Sequence, residues 1–289
     1  NNAIMTLRAS FNEQIFSYLN LLLPDYKLQQ SIGDFLYSIQ QKIELNNKIN
    51  AKLEAMAKLI YDYWFVQFDF PDENGKPYKS TGGKMVYNED LKREIPENFS
   101  VEKIKNIIEV KDGTHDTPKA SKSNFFLVTS KALNPIVDIS AIKTAFESIN
   151  KRSLVQNGDI LFSMIGSVGE IYLVEERRIN FAIKNIGLYK TSEKKEYREY
   201  ILMSLKSAYM ERYIKIVAVG SIQKFIGLDT LRDMPLLVNK RVIEKYREQT
   251  ESIFQKMSLI KSENKELMQL RDWLLPMLMN GQVTVSEAS

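Results

Sequence analysis

The chain has 289 residues, 44% hydrophobic and 26% charged, with a formal net charge of +4. That length supports one large domain or two modest ones with real cores, and the mild basicity permits nucleic-acid binding without arguing for it. There is no cysteine and a single histidine, His115, which excludes disulfides, thiolate or multi-histidine metal sites, and any catalytic triad not centred on His115.

No apolar run approaches the ~18 residues of a membrane span, and no charged start precedes an apolar core, so the reading is cytoplasmic with no membrane partner. Neither GxxxxGK[ST] nor GxGxxG behind a strand occurs, so no nucleotide cradle or cofactor is expected. The run Pro71-Asp72-Glu73-Asn74-Gly75-Lys76 superficially resembles a nuclease carboxylate cluster, but its composition is that of a polar turn. No catalytic or metal-ligating residue is assigned.

Residues 1–27 read as the tail of a preceding domain, or a piece completed by another part of the fold. Leu21-Leu22-Leu23 before Pro24 resembles a strand ending just ahead of a helix. From 28 to about 70 comes a long helix and its aromatic exit. Ile32, Leu36, Ile39, Ile43, Asn46, Asn50, Leu53, Ala57, Ile60 and Trp64 step by four and three, a heptad seam and not a broad surface stripe. At ~1.5 Å per residue such a rod is roughly 50 Å long and needs a second helix to bury its seam. Tyr61, Tyr63, Trp64 and Phe65 could stack on bases, but at a helix end they suit packing against a neighbouring domain better. Residues 71–95, rich in Gly, Pro and charge, read as an exposed linker.

From 96 to 239 the texture becomes mixed α/β. Strands are predicted over Phe125–Ser130, Ile160–Ile165, Glu170–Val174, Ile186–Tyr189 and Ile214–Val219, with one helix from Glu196 to Arg212. A second long helix follows over 240–281. Tyr246, Ile253, Met257, Ile260, Leu267, Leu274 and Leu278 keep heptad-like spacing, interrupted by Thr250, Asn264 and Arg271. Offset by 214 residues, Asn50, Leu53, Met56 and Ile60 fall on Asn264, Leu267, Leu270 and Leu274. Two such helices bracketing a domain pair antiparallel, because the chain leaves and returns. Buried asparagine layers would then set register at a cost in stability. The fold class is α+β, and residues 282–289 form a C-terminal tail.

This helix–domain–helix order, the run KIELNNKINAKLEAMAKLIYDYWFVQFDFPDENGKPYKSTGGK and the closing MQLRDWLLPMLMNGQV resemble the DNA-specificity subunit of type I restriction–modification systems. Within the middle domain, DGTHDTPK (112–119), NGDILFSMIGSVG (157–169) and GSIQKFIGLDTLRDMPL (220–236) are similar to that family's target-recognition domain. The resemblance spans 28–282 and implies a non-catalytic subunit that reads part of a split double-stranded DNA target. It also implies DNA methyltransferase (modification) subunits as partners, and a restriction subunit recruited to the complex. One full recognition domain is present where the family has two, which implies a half-length subunit that pairs with a second copy or the C-terminal portion of a longer one. The partner-docking helices would use Ile39, Ile43, Asn46, Asn50, Leu53, Ile60, Trp64, Ile253, Met257, Ile260, Asn264, Leu267 and Leu274.

Three segments carry the candidate DNA readers. In the first, Gly113 permits close backbone approach, Thr114, His115 and Thr117 are short hydrogen bonders, and Lys111 and Lys119 flank them for phosphates. An ordinary surface loop is the competing reading. The second is the turn after the strand at Ile160, with Ser163 and Ser167, set against a plain hairpin turn. The third is Gly220, Ser221, Gln223 and Lys224, where Gln223 suits an adenine edge, set against a domain-closing loop. Lys131, Arg152 and Lys184 are isolated basic residues near these turns. The rival to the whole reading is a coiled-coil scaffold whose globular domain binds protein.

Overall fold

The computed structural model describes residues 4–5, 9–10, 13, 17–18, 23–115, 122, 125–130, 133–134, 136–137, 142–143, 151–176, 178–220 and 224–285. In chain order the elements begin with β1 (Ile4–Met5), β2 (Ala9–Ser10), α1 (Tyr26–Tyr61), β3 (Met85–Asn88), β4 (Arg93–Pro96) and β5 (Ser100–Lys103). Next come β6 (Val110–Asp112), β7 (Phe126–Thr129), β8 (Leu133–Asn134), β9 (Ile136–Val137) and β10 (Ile142–Lys143). They are followed by β11 (Ile160–Ser163), β12 (Ile171–Leu173), β13 (Phe181–Lys184) and β14 (Ile186–Tyr189). The series closes with α2 (Arg198–Leu205), α3 (Ala208–Val217), α4 (Leu228–Arg232), β15 (Pro235–Val238) and α5 (Lys240–Met279). The expected α+β class holds. The chain divides into two compact units, residues 1–51 with 259–289, and residues 52–258.

In the first unit α1 and α5 run antiparallel, since Asn46 meets Asn264 while Gln40 meets Arg271. Ile32, Ile39, Ile43, Ile260 and Leu278 are buried, as the seam predicts. The asparagine layer is real. Asn46 Nδ2 donates to Asn264 Oδ1 and to Glu263 Oε2, each at 2.8 Å. Asn264 Nδ2 donates in turn to Asn47 Oδ1 at 2.8 Å. Asn50, also in the seam, leaves its Oδ1 buried with no partner among the described residues.

In the second unit the same seam enters a large core. Ala57, Tyr61 and Trp64 are buried with Ile253, Phe254 and Met257, and Tyr246 Oη donates to the Ala57 carbonyl at 3.1 Å. Past Tyr61 the helix widens into a π-turn, Asp62–Val66. That extra residue per turn swings Trp64 and Phe65 inward, where Phe65 lies 4.7 Å from Tyr200 and Trp64 5.9 Å from Tyr246. Tyr61, Trp64 and Phe65 are therefore core and closed to bases, while Tyr63 stays exposed.

Residues 71–94 are exposed or half-buried, but the segment is more structured than the expected linker. Asp69 accepts from both Ser80 N–H and Ser80 Oγ, Phe70 stacks on Tyr78 at 4.7 Å, and β3 pairs with β4. These contacts fold the segment onto the aromatic core, which its turn-rich composition concealed.

The central sheet has the order β12-β11-β14-β6, all antiparallel. Each residue of β11 and β14 is buried. One face carries Ile160, Phe162 and Tyr189 into the core beside the helices; the other turns Leu161, Ile186 and Leu188 toward Val128, Phe181 and Ile183. Strands covered on both faces read as continuous apolar runs, which is why these two were legible. The second sheet, β10-β7-β13, contains a parallel β7–β13 pair; β13 was not anticipated.

Two further expectations are corrected. Ile214–Val219 is not a strand but the end of α3 and its exit. The predicted helix from Glu196 to Arg212 is split at Lys206-Ser207, because Ser207 Oγ accepts the Met210 N–H and caps a new helix. Met210 and Ile214 then lie four apart on the buried face, so the β-branched run was outvoted by helical burial.

Candidate nucleic-acid interface

Strand register decides which loops meet. Phe162 pairs with Gly187, and Gly187 with Asp112, while Ser163 pairs with Ile186. Hence β6 and β11 end, and β14 begins, at one edge of the sheet, with the loops 113–115 and 164–170 and the bend at Asn185 lying together. A fourth segment joins them. Gly166 N–H donates to the Lys224 carbonyl at 3.1 Å, Ile226 N–H to the Met164 carbonyl at 2.9 Å, and Ile165 bridges Phe225. Two of the three sequence-predicted segments are thus bonded to each other, and the first leaves the same edge.

The first loop is locked to β13 and to the start of β14. Gly113 N–H donates to Ile186 O at 2.8 Å and Thr114 N–H to Ile183 O at 3.1 Å. A Cβ on Gly113 would stand 2.4 Å from the Ile183 carbonyl oxygen, so only glycine fits. Thr114 is buried and bridges Lys184, which is half-buried. His115 is exposed, but its ring is held at both ends: Nδ1 lies 2.9 Å from Asn185 Oδ1 and Nε2 3.0 Å from Asp112 Oδ2. Asn185 takes φ +54, the left-handed bend that turns β13 into β14. This asparagine went unremarked in the sequence; its place in a Lys-Asn-Ile-Gly run was the only signal. Lys111 turns its Nζ to Glu109 at 2.7 Å.

Ser163 is fully buried. Its Oγ donates to the Ser167 carbonyl and accepts the Glu170 N–H at 2.9 Å, so it ties the turn together and presents no group outward. Ser167 is exposed, and Gly166 and Gly169 take φ +79 and +98 to close the turn. Gly220 (φ +109) and Lys224 are exposed. Thr117, Lys119, Lys131, Ser221 and Gln223 lie outside the described residues, as does the side chain of Arg152.

The docking candidates are largely spent within the chain. Ile39, Ile43, Asn46, Ile260 and Asn264 are buried in the first unit, and Trp64, Ile253 and Met257 in the second; Asn50, Leu53, Ile60, Leu267 and Leu274 are half-buried. A partner of these helices would meet their other faces.

At the opposite edge of the sheet sits a network not foreseen. Asp159, fully buried, holds Lys190 Nζ at 2.7 Å and also accepts Gln156 N–H at 2.8 Å and Ser192 Oγ at 2.6 Å. It joins the start of β11 to the end of β14. Among the described residues no group of three or more His, Cys, Asp or Glu could hold a metal, and no helix is long and apolar enough to cross a membrane.

No family model matches the chain. It is 25% identical over 321 residues to the type I restriction enzyme HindI specificity subunit of Haemophilus influenzae, covering 92% of this chain and 70% of that protein. It is 22% identical over 278 residues to the type I restriction enzyme MjaIX specificity subunit of Methanocaldococcus jannaschii, covering 91% and 60%. The chain thus spans 60–70% of the length of these curated relatives. Its fold resembles the crystal structure of a type I restriction–modification S subunit from M. genitalium, with a TM-score of 0.54 at 14% identity over 99% of this chain and 68% of that one.

Proposed function

Because the chain is a relative of type I restriction enzyme specificity subunits, we propose that it is the DNA-reading, non-catalytic component of such a complex. The observation that carries this is kinship over 92% of the chain, helices and recognition domain together. Residues 96–239 form the target-recognition domain in this reading, and the loops leaving the sheet edge at Gly113, Met164 and Asn185 face one part of a bipartite duplex target. Backbone N–H groups and the lysines Lys184 and Lys224 suit phosphate contacts that fix register. The two long helices position the domain and dock methyltransferase subunits, which supply the chemistry; a restriction subunit and a second copy of this chain are further partners.

The test is to co-express the chain with its cognate methyltransferase subunit and map methylated sites. Lys184→Ala and Lys224→Ala should weaken methylation evenly across sites, as phosphate contacts do, whereas Leu45→Glu with Leu270→Glu, both exposed on the long helices, should abolish co-purification. Unchanged methylation and unchanged co-purification would reject the two halves of the reading separately. The scaffold alternative predicts no salt-dependent duplex binding at all.

A further inference from the structure

Beside the interface loops the recognition domain exposes an apolar ridge. Ile216 is 81% exposed, Val219 52% and Phe225 47%. Val219 and Phe225 exchange backbone hydrogen bonds at 3.0 and 2.8 Å, so they stand side by side. Ile216 belongs to the last turn of α3, whose inner face, at Ile214, would lie 3.8 Å from a Cβ on Gly169. The helix is therefore laid on the Gly166–Gly169 turn with Ile216 directed away from it. Scattered single apolar residues on a surface need no explanation, but a contiguous group marks a contact. Here the Val219–Phe225 pair is continuous with the interface, through the Ile165–Phe225 bridge and the Gly166–Lys224 hydrogen bond, and Ile216 stands on the helix that packs against the same turn. Residues 211–226 carry a net positive charge: Lys215 is paired with Glu211 at 2.7 Å, and Arg212 and Lys224 have no acid to match them within that stretch.

We propose that Ile216, Val219 and Phe225 contact thymine methyl groups in the major groove of the DNA target and so determine part of the sequence read. The inference rests on the DNA-reading role proposed above and assigns that role its apolar specificity element. The cations explain why the cover is a polyanion, and the methyl group is the one apolar feature a base-pair edge displays. The groove follows from width. The end of a helix is ~10–12 Å across, which the ~12 Å major groove admits and the ~6 Å minor groove does not. Polar readers alone would have left this ridge without a counterpart.

The test uses the full chain and the duplex it enriches from a random-sequence pool, prepared with thymine and with uracil, which lacks the methyl. Wild type should bind the uracil duplex about fourfold more weakly per contacted methyl, the worth of one buried carbon. Phe225→Ala and Ile216→Ala should weaken binding to the thymine duplex by a similar factor and no longer distinguish the two duplexes. Because these side chains are exposed, the unfolding midpoint should stay unchanged, which separates lost contact from lost fold. Variants that still discriminate thymine from uracil, or that bind as wild type does, overturn the proposal while leaving DNA reading intact. Variants with full discrimination that lose the methyltransferase subunit show the ridge to be a protein contact, which also overturns it. If wild type enriches no sequence at all, the DNA-reading role itself falls, and this assignment with it.

Discussion

Lys190→Met isolates the Asp159 carboxylate without changing side-chain length much. Asp159 and Lys190 are buried to 0% and 6% side-chain exposure, so the deletion leaves a charge with no counter-ion away from water. Breaking such a pair costs about 3–5 kcal/mol. Asp159 keeps hydrogen bonds from Gln156 N–H, Ser192 N–H and Ser192 Oγ, which places the loss near the lower figure, about 3 kcal/mol. For a unit spanning residues 52–258 each kcal/mol shifts the melting midpoint by about 2–4 °C, so a drop of about 6–12 °C is expected by thermal denaturation. The exposed pair Lys92–Glu89 serves as control, where Lys92→Met should move the midpoint hardly at all. A loss below about 1 kcal/mol in Lys190→Met would show that the backbone and serine donors alone stabilise the carboxylate, and the reasoning about the pair would fail.

Asn264→Ala should cost about 1–3 kcal/mol by removing the acceptor of Asn46 Nδ2, whereas Asn46→Leu with Asn264→Leu should hold or raise stability while relaxing helix register. Denaturation midpoints together with cross-linking across the helix pair would check both. Gly113→Ala should cost about 1–3 kcal/mol, because the new Cβ meets the Ile183 carbonyl oxygen at 2.4 Å; a loss within the error of denaturant titration would mean that the loop shifts freely. Burial pushes the Tyr61 hydroxyl up to about 12 and raises Tyr189, Tyr200 and Tyr246 as well. Their folded values exceed the unfolded value near 10, so their stabilising contribution is complete below pH ~10 and is lost as pH rises through the folded values. Tyrosinate absorbance for these four should appear together with unfolding; ionisation in a folded chain would contradict their burial.

What the sequence disclosed depended on how local the physics was. The seam from Ile32 to Trp64 was legible because heptad spacing is a property of one segment, and the Asn46–Asn264 layer followed from the matching seam near the C-terminus. β11 and β14 were legible because strands buried on both faces leave unbroken apolar runs. The segment Ile214–Val219 misled, since its β-branched residues favour a strand while Ser207 starts a helix that packing completes. The folded state of residues 71–95 depends on Asp69 reaching Ser80 and Phe70 reaching Tyr78, pairings that composition does not reveal. The same holds for the site. The bonding of Gly166 to Lys224 and the clasp of His115 between Asp112 and Asn185 join residues up to 70 positions apart, and a buried role for Ser163 emerges only when Glu170 and Ser167 close around it.

The central claim is that this chain reads DNA sequence, and selection from a random duplex pool tests it most directly. The full chain, incubated with the pool at moderate salt and sequenced after several rounds, should enrich one short motif, and its affinity for that motif should fall steeply and log-linearly as salt increases. Recovery of an unenriched pool, or binding indifferent to salt, would contradict the account.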